Sequence, residues 1–287
     1  MSAPEVVTTA ADLRRRLDTV REAGASVGFV PTMGYLHEGH GSLVDASVAA
    51  NDLTVVSVFV NPLQFAPTED LADYPRDLDA DVARCGDHGS DLVFHPTVDE
   101  VYPEGEDEPV APGVVAGPLE GASRPNHFAG VATVVARLFR IVGPCRAYFG
   151  EKDFQQLAVI RGMVADLALP VEVVGCPTVR EPDGLAKSSR NVYLGDEERR
   201  QATVLYRALR AGAAIVEDGE RDPDAVIAAM EEVLAGTPLV EIDYAALVES
   251  ATFLAPDRLD AGDEVRLLVA ARLGNARLID NVGVVAP

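Results

Sequence analysis

Cysteine is scarce in this 287-residue sequence: Cys85, Cys145 and Cys176 lie far apart. Their spacing excludes a Cys-x-x-Cys metal site and gives no disulfide framework, which fits a reducing, cytoplasmic compartment. Long apolar runs are missing too. No stretch of about 18 apolar residues occurs, so no membrane-spanning helix is expected. Met1 to Val7 has neither a basic region nor an apolar one, so no secretory signal peptide is expected. Positive charge is short: Lys plus Arg number 24 against 46 Asp plus Glu, a formal net charge of -22. Such a field disfavours nucleic acid and anionic membranes as partners. Lysine itself is nearly absent, with only Lys152 and Lys187. One signature is missing outright: without Gly-x-x-x-x-Gly-Lys-[Ser/Thr] the chain is not a P-loop enzyme. No residue reads as an activated nucleophile.

What is present begins with a core. Hydrophobic residues make up 48% of the chain, enough for one large or two medium domains. In the first part, strands alternate with helices. The expected order is a helix over 9–23, a strand over 27–30, a helix over 39–50 and a strand over 53–60. A helix at 77–84, a short strand at 92–94, a helix over 129–142 and a strand at 147–149 follow, then a helix over 154–168 and a strand at 171–174. That alternation predicts an α/β fold, a Rossmann-like doubly wound parallel sheet with helices on both faces. Residues 99–126, with several Pro and Gly and the acidic cluster Glu104 to Glu108, read as a long loop or flap. After Val179 the texture changes. One long amphipathic helix over 196–217, another from Asp222-Pro223 to Gly236, and strands over 240–248, 264–271 and 277–282 predict a smaller C-terminal α+β domain. The expected division is residues 1–178 and 179–287.

The stretch around which the rest is organised is Gly28 to Leu43. A short apolar strand ends at Pro31, Gly34 and Gly39 permit a turn, and a helix starts near Gly39 with Leu43, Val44 and Val48 on its apolar face. A strand, a glycine-bearing turn and a helix N-terminus form a common phosphate site, because free amides and the helix dipole favour an anion there. His37 and His40 stand at its mouth, each able to donate to a phosphate oxygen or simply solvated in a tight turn.

Four further segments carry polar groups. Asn61-Pro62-Leu63-Gln64-Phe65 follows an apolar strand and is either an Asn-Pro turn or a reader of a small polar substrate. Arg124-Pro125-Asn126-His127-Phe128 precedes the apolar helix, where Arg124 suits a carboxylate or phosphate, and surface polarity explains it as well. Gly150-Glu151-Lys152-Asp153-Phe154-Gln155-Gln156 joins a strand to a helix. Lys152 offers a point charge there, Asp153 an N-cap, and only one of Gln155 and Gln156 can face a site. Lys187-Ser188-Ser189-Arg190-Asn191 gathers an ammonium, two hydroxyls and a guanidinium, which suits an oligophosphate or a solvated linker.

Taken together, Pro31-Thr32-Met33-Gly34-x-Leu36-His37-x-Gly39-His40, Phe59-Val60-Asn61-Pro62-x-Gln64-Phe65, His127-Phe128-x-Gly130-Val131, Phe149-Gly150-Glu151-Lys152-Asp153 and Ser188-Ser189-Arg190-Asn191 resemble one family closely. The first resembles the His-x-Gly-His motif of the nucleotidyltransferase superfamily. The full set, in family order from about residue 30 to 194, resembles the pantothenate synthetases, the pantoate–β-alanine ligases. The resemblance implies a two-step ligation. Pantoate's carboxylate attacks the α-phosphorus of ATP to give pantoyl adenylate and pyrophosphate, and the amine of β-alanine then displaces AMP. It also implies that Met33, Gly34, Tyr35, Leu36, His37, Glu38, Gly39, His40, Gly150, Glu151, Lys152, Asp153, Val179, Lys187, Ser188, Ser189 and Arg190 line ATP. His40 would be a proton donor, with His37, Lys152, Ser188, Ser189 and Arg190 as further catalytic donors. Gln64 and Gln156 would hold pantoate, with Asn61, Arg124 and His127 in the substrate-binding set. The family implies magnesium on the phosphates, associated with Asp79 or Asp81, which Ala80 separates here. It also implies a homodimer in the cytoplasm, with the second domain as a lid. Lys187 departs from the family, which usually has an apolar residue there. The rivals are a nucleotidyltransferase acting on a phosphate ester and a non-catalytic nucleotide-binding module, while the acidic charge disfavours a tRNA ligase.

Overall fold

The computed structural model describes residues 3–64, 74–103 and 108–287. Phe65, the end of one expected substrate segment, and Glu104 to Asp107, most of the acidic cluster, lie outside the described residues. The chain divides into two compact units, Met1–Glu151 with Gln155–Pro177, and Lys152–Phe154 with Thr178–Pro287.

In the first unit the order is β1 (Glu5–Val7), α1 (Ala10–Glu22), β2 (Val27–Thr32), α2 (Glu38–Ala50), β3 (Leu53–Val58), α3 (Leu78–Asp87) and β4 (Leu92–Phe94). Two short helices, α4 (Val98–Val101) and α5 (Glu120–Ser123), precede α6 (His127–Val142), β5 (Cys145–Gly150), α7 (Phe154–Asp166) and β6 (Val171–Cys176). The six strands form one sheet in the order β1-β4-β3-β2-β5-β6, with every neighbouring pair parallel. The order reverses between β2 and β5, so a crevice opens there beyond the carboxyl ends of the strands, where ligands of such sheets bind. Val55 and Val56 are adjacent in β3 and both fully buried, as in a strand covered on both faces. One covering layer packs Leu43 and Val44 of α2 and Cys85 of α3 against Val30, Val56 and Val93. Among the aromatics, Phe139 of α6 meets Phe29 and Phe149 edge to face, at 6.2 and 6.3 Å.

The second unit holds α8 (Asp196–Gln201), α9 (Val204–Glu217), α10 (Pro223–Ala235), β7 (Val240–Glu249), β8 (Glu264–Leu273) and β9 (Ala276–Val285). The three strands form an antiparallel meander, β7-β8-β9. Val265, Leu267, Val269 and Ala271 alternate onto one face and pack with Leu205, Leu209 and Met230 of α9 and α10.

Four expectations are corrected. β1 had no sequence signal, because three residues carry no period; it exists through its parallel pairing with β4. β2 does not stop at Pro31 but runs to Thr32. Proline lacks only the N–H, and Thr32 anchors the strand end by donating its Oγ1 to the Ser57 carbonyl at 2.7 Å. Val48 is exposed, and Ser47 is buried in its place. A Cβ on Gly28 would lie 2.0 Å from Ser47 Oγ, so the glycine lets α2 approach β2 and Ser47 bonds Thr54 Oγ1 at 2.8 Å. The long helix over 196–217 is two helices, broken at Ala202–Thr203, where the Thr203 hydroxyl donates back to the Arg200 carbonyl.

Candidate active site

Met33 to His40 forms the turn between β2 and α2. Gly34 and Tyr35 both take positive φ, +83° and 53°, which glycine adopts freely and tyrosine does not. Asp81 of α3 stabilises this turn. Its carboxylate is 3% exposed and accepts the Tyr35 N–H at 2.9 Å and the Leu36 N–H at 2.7 Å. Burial pushes the Asp81 carboxyl above its ordinary value, and the two amides pull against that shift. The N-cap of α2 is His37, whose Nδ1 accepts the Gly39 N–H at 3.1 Å. His40 completes a reciprocal cap, its Nδ1 accepting the His37 N–H at 3.2 Å. A neutral imidazole that accepts at Nδ1 carries its proton on Nε2. Both rings therefore hold Nε2–H groups, and the ring centroids are 4.1 Å apart.

Beyond β3, Pro62–Gln64 forms a single 3-10 turn. Asn61 is buried: its Oδ1 accepts the Leu63 N–H at 3.2 Å and the Tyr102 hydroxyl at 2.8 Å, and its Nδ2 donates one N–H to the Gly130 carbonyl at 3.1 Å. It shapes the turn from inside. Gln64 is half-buried, and its side-chain amide has no bond to the described residues. His127, at the start of α6, donates Nδ1–H to the Gln64 carbonyl at 3.3 Å, so its Nε2 accepts from Arg124 at 3.1 Å. Gly130 completes the support: a Cβ there would lie 2.3 Å from the Leu63 carbonyl oxygen. Arg124, His127, Asn61 and Gln64 are thus one connected group.

Gly150 ends β5, and Glu151 follows it within the same 3-10 turn as Lys152 and Asp153. Gln155 is buried and bonded to Glu120 N, Val115 O and Pro118 O, so it pins the long loop. Gln156 is half-buried, and its amide has no bond to the described residues. Of the two glutamines, only Gln155 has its amide bonded to described residues.

In the second unit, Val179 and Lys187 close a hairpin, Lys187 N–H to Val179 O at 2.9 Å, with Arg180 bridging to Ala186 inside it. Ser188 caps the turn Ser189–Tyr193 by accepting the Arg190 N–H at 3.3 Å, and Arg190 is exposed. The Lys187 ammonium pairs with Glu181 at 2.9 Å. The Lys152 ammonium lies 3.3 Å from Asp153, and its backbone carbonyl accepts Asn281 Nδ2 of β9 at 2.8 Å. Sequence reasoning missed Asn281, Asp280 and Arg180. No local pattern marks them, because their partners are some 100 residues away.

A parallel sheet with a His-x-x-His helix cap at its carboxyl edge, beside its switch point, defines the class: an α/β protein with a ligand site at that edge, which fits the resemblance to the nucleotidyltransferase superfamily. The comparisons narrow it. A family profile for pantoate-beta-alanine ligase matches residues 5–283, and the chain belongs to that family. A pantothenate synthetase of Roseiflexus is 53% identical over 284 residues, covering 96% of this chain and 98% of the relative. One from Caldicellulosiruptor bescii is 49% identical over 281 residues, 98% and 99%. The crystal structure of pantothenate synthetase from Thermus thermophilus superposes with a TM-score of 0.90 at 53% identity, covering 97% of this chain and 98% of that one. A pantoate-beta-alanine ligase from Francisella tularensis, complexed with beta-gamma ATP and beta-alanine, superposes at 0.79 with 31% identity, covering 98% and 97%.

Proposed function

We infer that this chain condenses pantoate with β-alanine, consuming ATP and releasing pyrophosphate and AMP. The observation that carries the reading is the reciprocal histidine cap, which presets two Nε2–H donors at a helix N-terminus beside the sheet's switch point. A carboxylate needs no general base to attack phosphorus. A pantoate oxygen bonds to the α-phosphorus, the bond to the bridging oxygen breaks, and pyrophosphate leaves with that electron pair. The barrier is charge gathering on phosphate oxygens, and preorganised donors lower it. His37 and His40 are read as such donors, His40 also as the proton donor, and Lys152, Ser188, Ser189 and Arg190 as the others. The amine of β-alanine then attacks the acyl carbon, expels AMP and loses a proton as the amide forms. Gln64 and Gln156 are read as the pantoate-holding amides. Met33 to His40, Gly150 to Asp153, Val179 and Lys187 are read as lining ATP. Asn61, Arg124 and His127 are read as the rest of the substrate-binding set, which also supports Gln64.

The family implies magnesium with ATP. Asp79 and Asp81 do not fit one shared ion. Two residues apart on α3 they face different ways; Asp81 is buried on two amides and Asp79 is exposed. Residues 1–178 and 179–287 are read as the two domains, supported by the division at Pro177 and Thr178. A homodimer in the cytoplasm completes the reading. No helix among the described residues is long and apolar enough to cross a membrane.

ATP–pyrophosphate exchange tests the function. It is expected to require pantoate and not β-alanine. Exchange that needs β-alanine, or none with pantoate, overturns the two-step reading.

A further inference from the structure

We propose that Arg180, Asp280 and Asn281 are positioning residues that orient Lys152 and the Lys187–Arg190 turn for the adenylation step. The proposal rests on the donor roles given above.

Asp280 and Asn281 are neighbours on β9, so they serve opposite faces of the antiparallel sheet. Asp280 pairs in register with Val269, on the face packed by α9 and α10. There it is buried and held by the Arg180 fork, Nη1 to Oδ2 at 2.6 Å and Nη2 to Oδ1 at 2.9 Å. The same guanidinium lies 4.1 Å from the centroid of the Tyr206 ring and donates to the Gly184 and Asn281 carbonyls. Arg180 thus ties β9 to the hairpin that leads into Lys187 and Ser188. On the other face, Asn281 Nδ2 donates to the Lys152 carbonyl at 2.8 Å. Arg266 of β8 stacks on Phe154 at 3.5 Å, and Phe253 stacks on the same ring at 5.7 Å. The short segment Lys152–Phe154 is therefore fastened to this sheet by the Asn281 hydrogen bond and the Arg266 stacking, with Phe253 packed on the same ring.

A buried ion pair is a poor way to gain stability, since apolar residues of similar volume do as well or better. What apolar residues cannot supply is direction. A bidentate fork fixes one orientation. One strand thereby sets two donor segments that are remote in sequence, and a 1 Å misplacement of a catalytic group costs about 100-fold.

Two variants test this, Asn281→Asp, which turns a donor into an acceptor facing a carbonyl, and Arg180→Lys, which keeps the charge and loses the fork. Thermal melts and pantoate-dependent ATP–pyrophosphate exchange are measured on each, at a temperature where it is folded. The expected result is exchange kcat reduced about 10- to 100-fold with the KM for pantoate almost unmoved. In a double-mutant cycle, Asn281→Asp added to Lys152→Met is expected to cost less than about twofold more, because it acts through Lys152. Three results overturn the proposal: full kcat per folded molecule, additive losses in the cycle, or failure of both variants to fold, which makes the residues structural. No exchange in the unsubstituted chain sinks the assigned function itself, and the proposal with it.

Discussion

The histidine turn and the lysine segment offer the same kind of chemistry and are built in opposite ways. His37 and His40 are oriented by backbone amides within three residues of each. Lys152 is held by β9, 129 residues downstream, and its neighbour Phe154 by Arg266 and Phe253. A donor set by its own helix cap forms whenever the helix does. A donor set by a distant strand exists only once the antiparallel sheet has closed. The histidine turn has a long-range element too, Asp81, which stands to it as Asn281 stands to Lys152.

The sharpest way to break the comparison is to remove a charge from each kind of segment. Lys152→Met is expected to cut single-turnover adenylate formation about 100- to 1,000-fold, the usual loss for one preorganised donor. A loss under tenfold would mean that the distant scaffold presents nothing of catalytic value. Next comes Asp81→Ala, which strands two buried amides and is expected to destabilise the fold by about 1–3 kcal/mol in urea unfolding. Here pH gives the sign. Burial raises the Asp81 carboxyl above 3.8, so the folded chain holds that proton longer than the unfolded one. Its contribution is present below 3.8 and is lost as pH rises through the folded value. The stability gap between the unsubstituted chain and Asp81→Asn should therefore narrow from about pH 3.5 to 7, read by melts; a gap that widens contradicts the burial argument.

Smaller effects sharpen the picture. Gln64→Ala should raise the KM for pantoate about tenfold, one hydrogen bond's worth, and that for ATP far less. Equal changes would remove Gln64 from the substrate role. Lys187→Met should change adenylate formation less than about tenfold, and less still at high salt, because Glu181 already neutralises the ammonium at 2.9 Å. If it falls as far as Lys152→Met, Lys187 is a second phosphate ligand. At the bottom of the scale, Cys85, fully buried, should show almost no reaction with iodoacetamide at pH 8 in the folded chain. Burial pushes its thiol up to about 12, so almost no thiolate is present. Labelling before unfolding would show that site open.

Much of this was legible in the linear order. The strand and helix alternation and the texture change after Val179 follow from periodicity, which one sequence displays fully. The segments with donors were legible as well, since donor type and the strand or helix they adjoin are local facts. What periodicity missed was short or exceptional: β1, visible only through its partner β4, and the break at Thr203, where one hydroxyl competes for a helix carbonyl. Side-chain direction was the larger gap. The residues alone showed that only one of Gln155 and Gln156 can face a site, and the fold turns Gln155 inward onto Glu120, Val115 and Pro118. The substrate-binding reading of Asn61 did not show that its side chain also bonds Leu63, Tyr102 and Gly130.

By itself, then, the sequence determined the parallel sheet, the helix start with its two histidines and the inventory of candidate phosphate donors. Each depends on residues within one turn or one strand of each other, where propensity and capping act. Only the tertiary structure decided that Asp81 seats the Tyr35–Leu36 turn, that Glu181 occupies Lys187, and that Asp280 and Asn281 hold the second set of donors. Apart from Glu181 with Lys187, those contacts join groups remote in sequence, through side chains of Asp81, Asp280 and Asn281 that are buried. Their pairing is set by where the packed sheets bring them and by nothing in their neighbours along the chain.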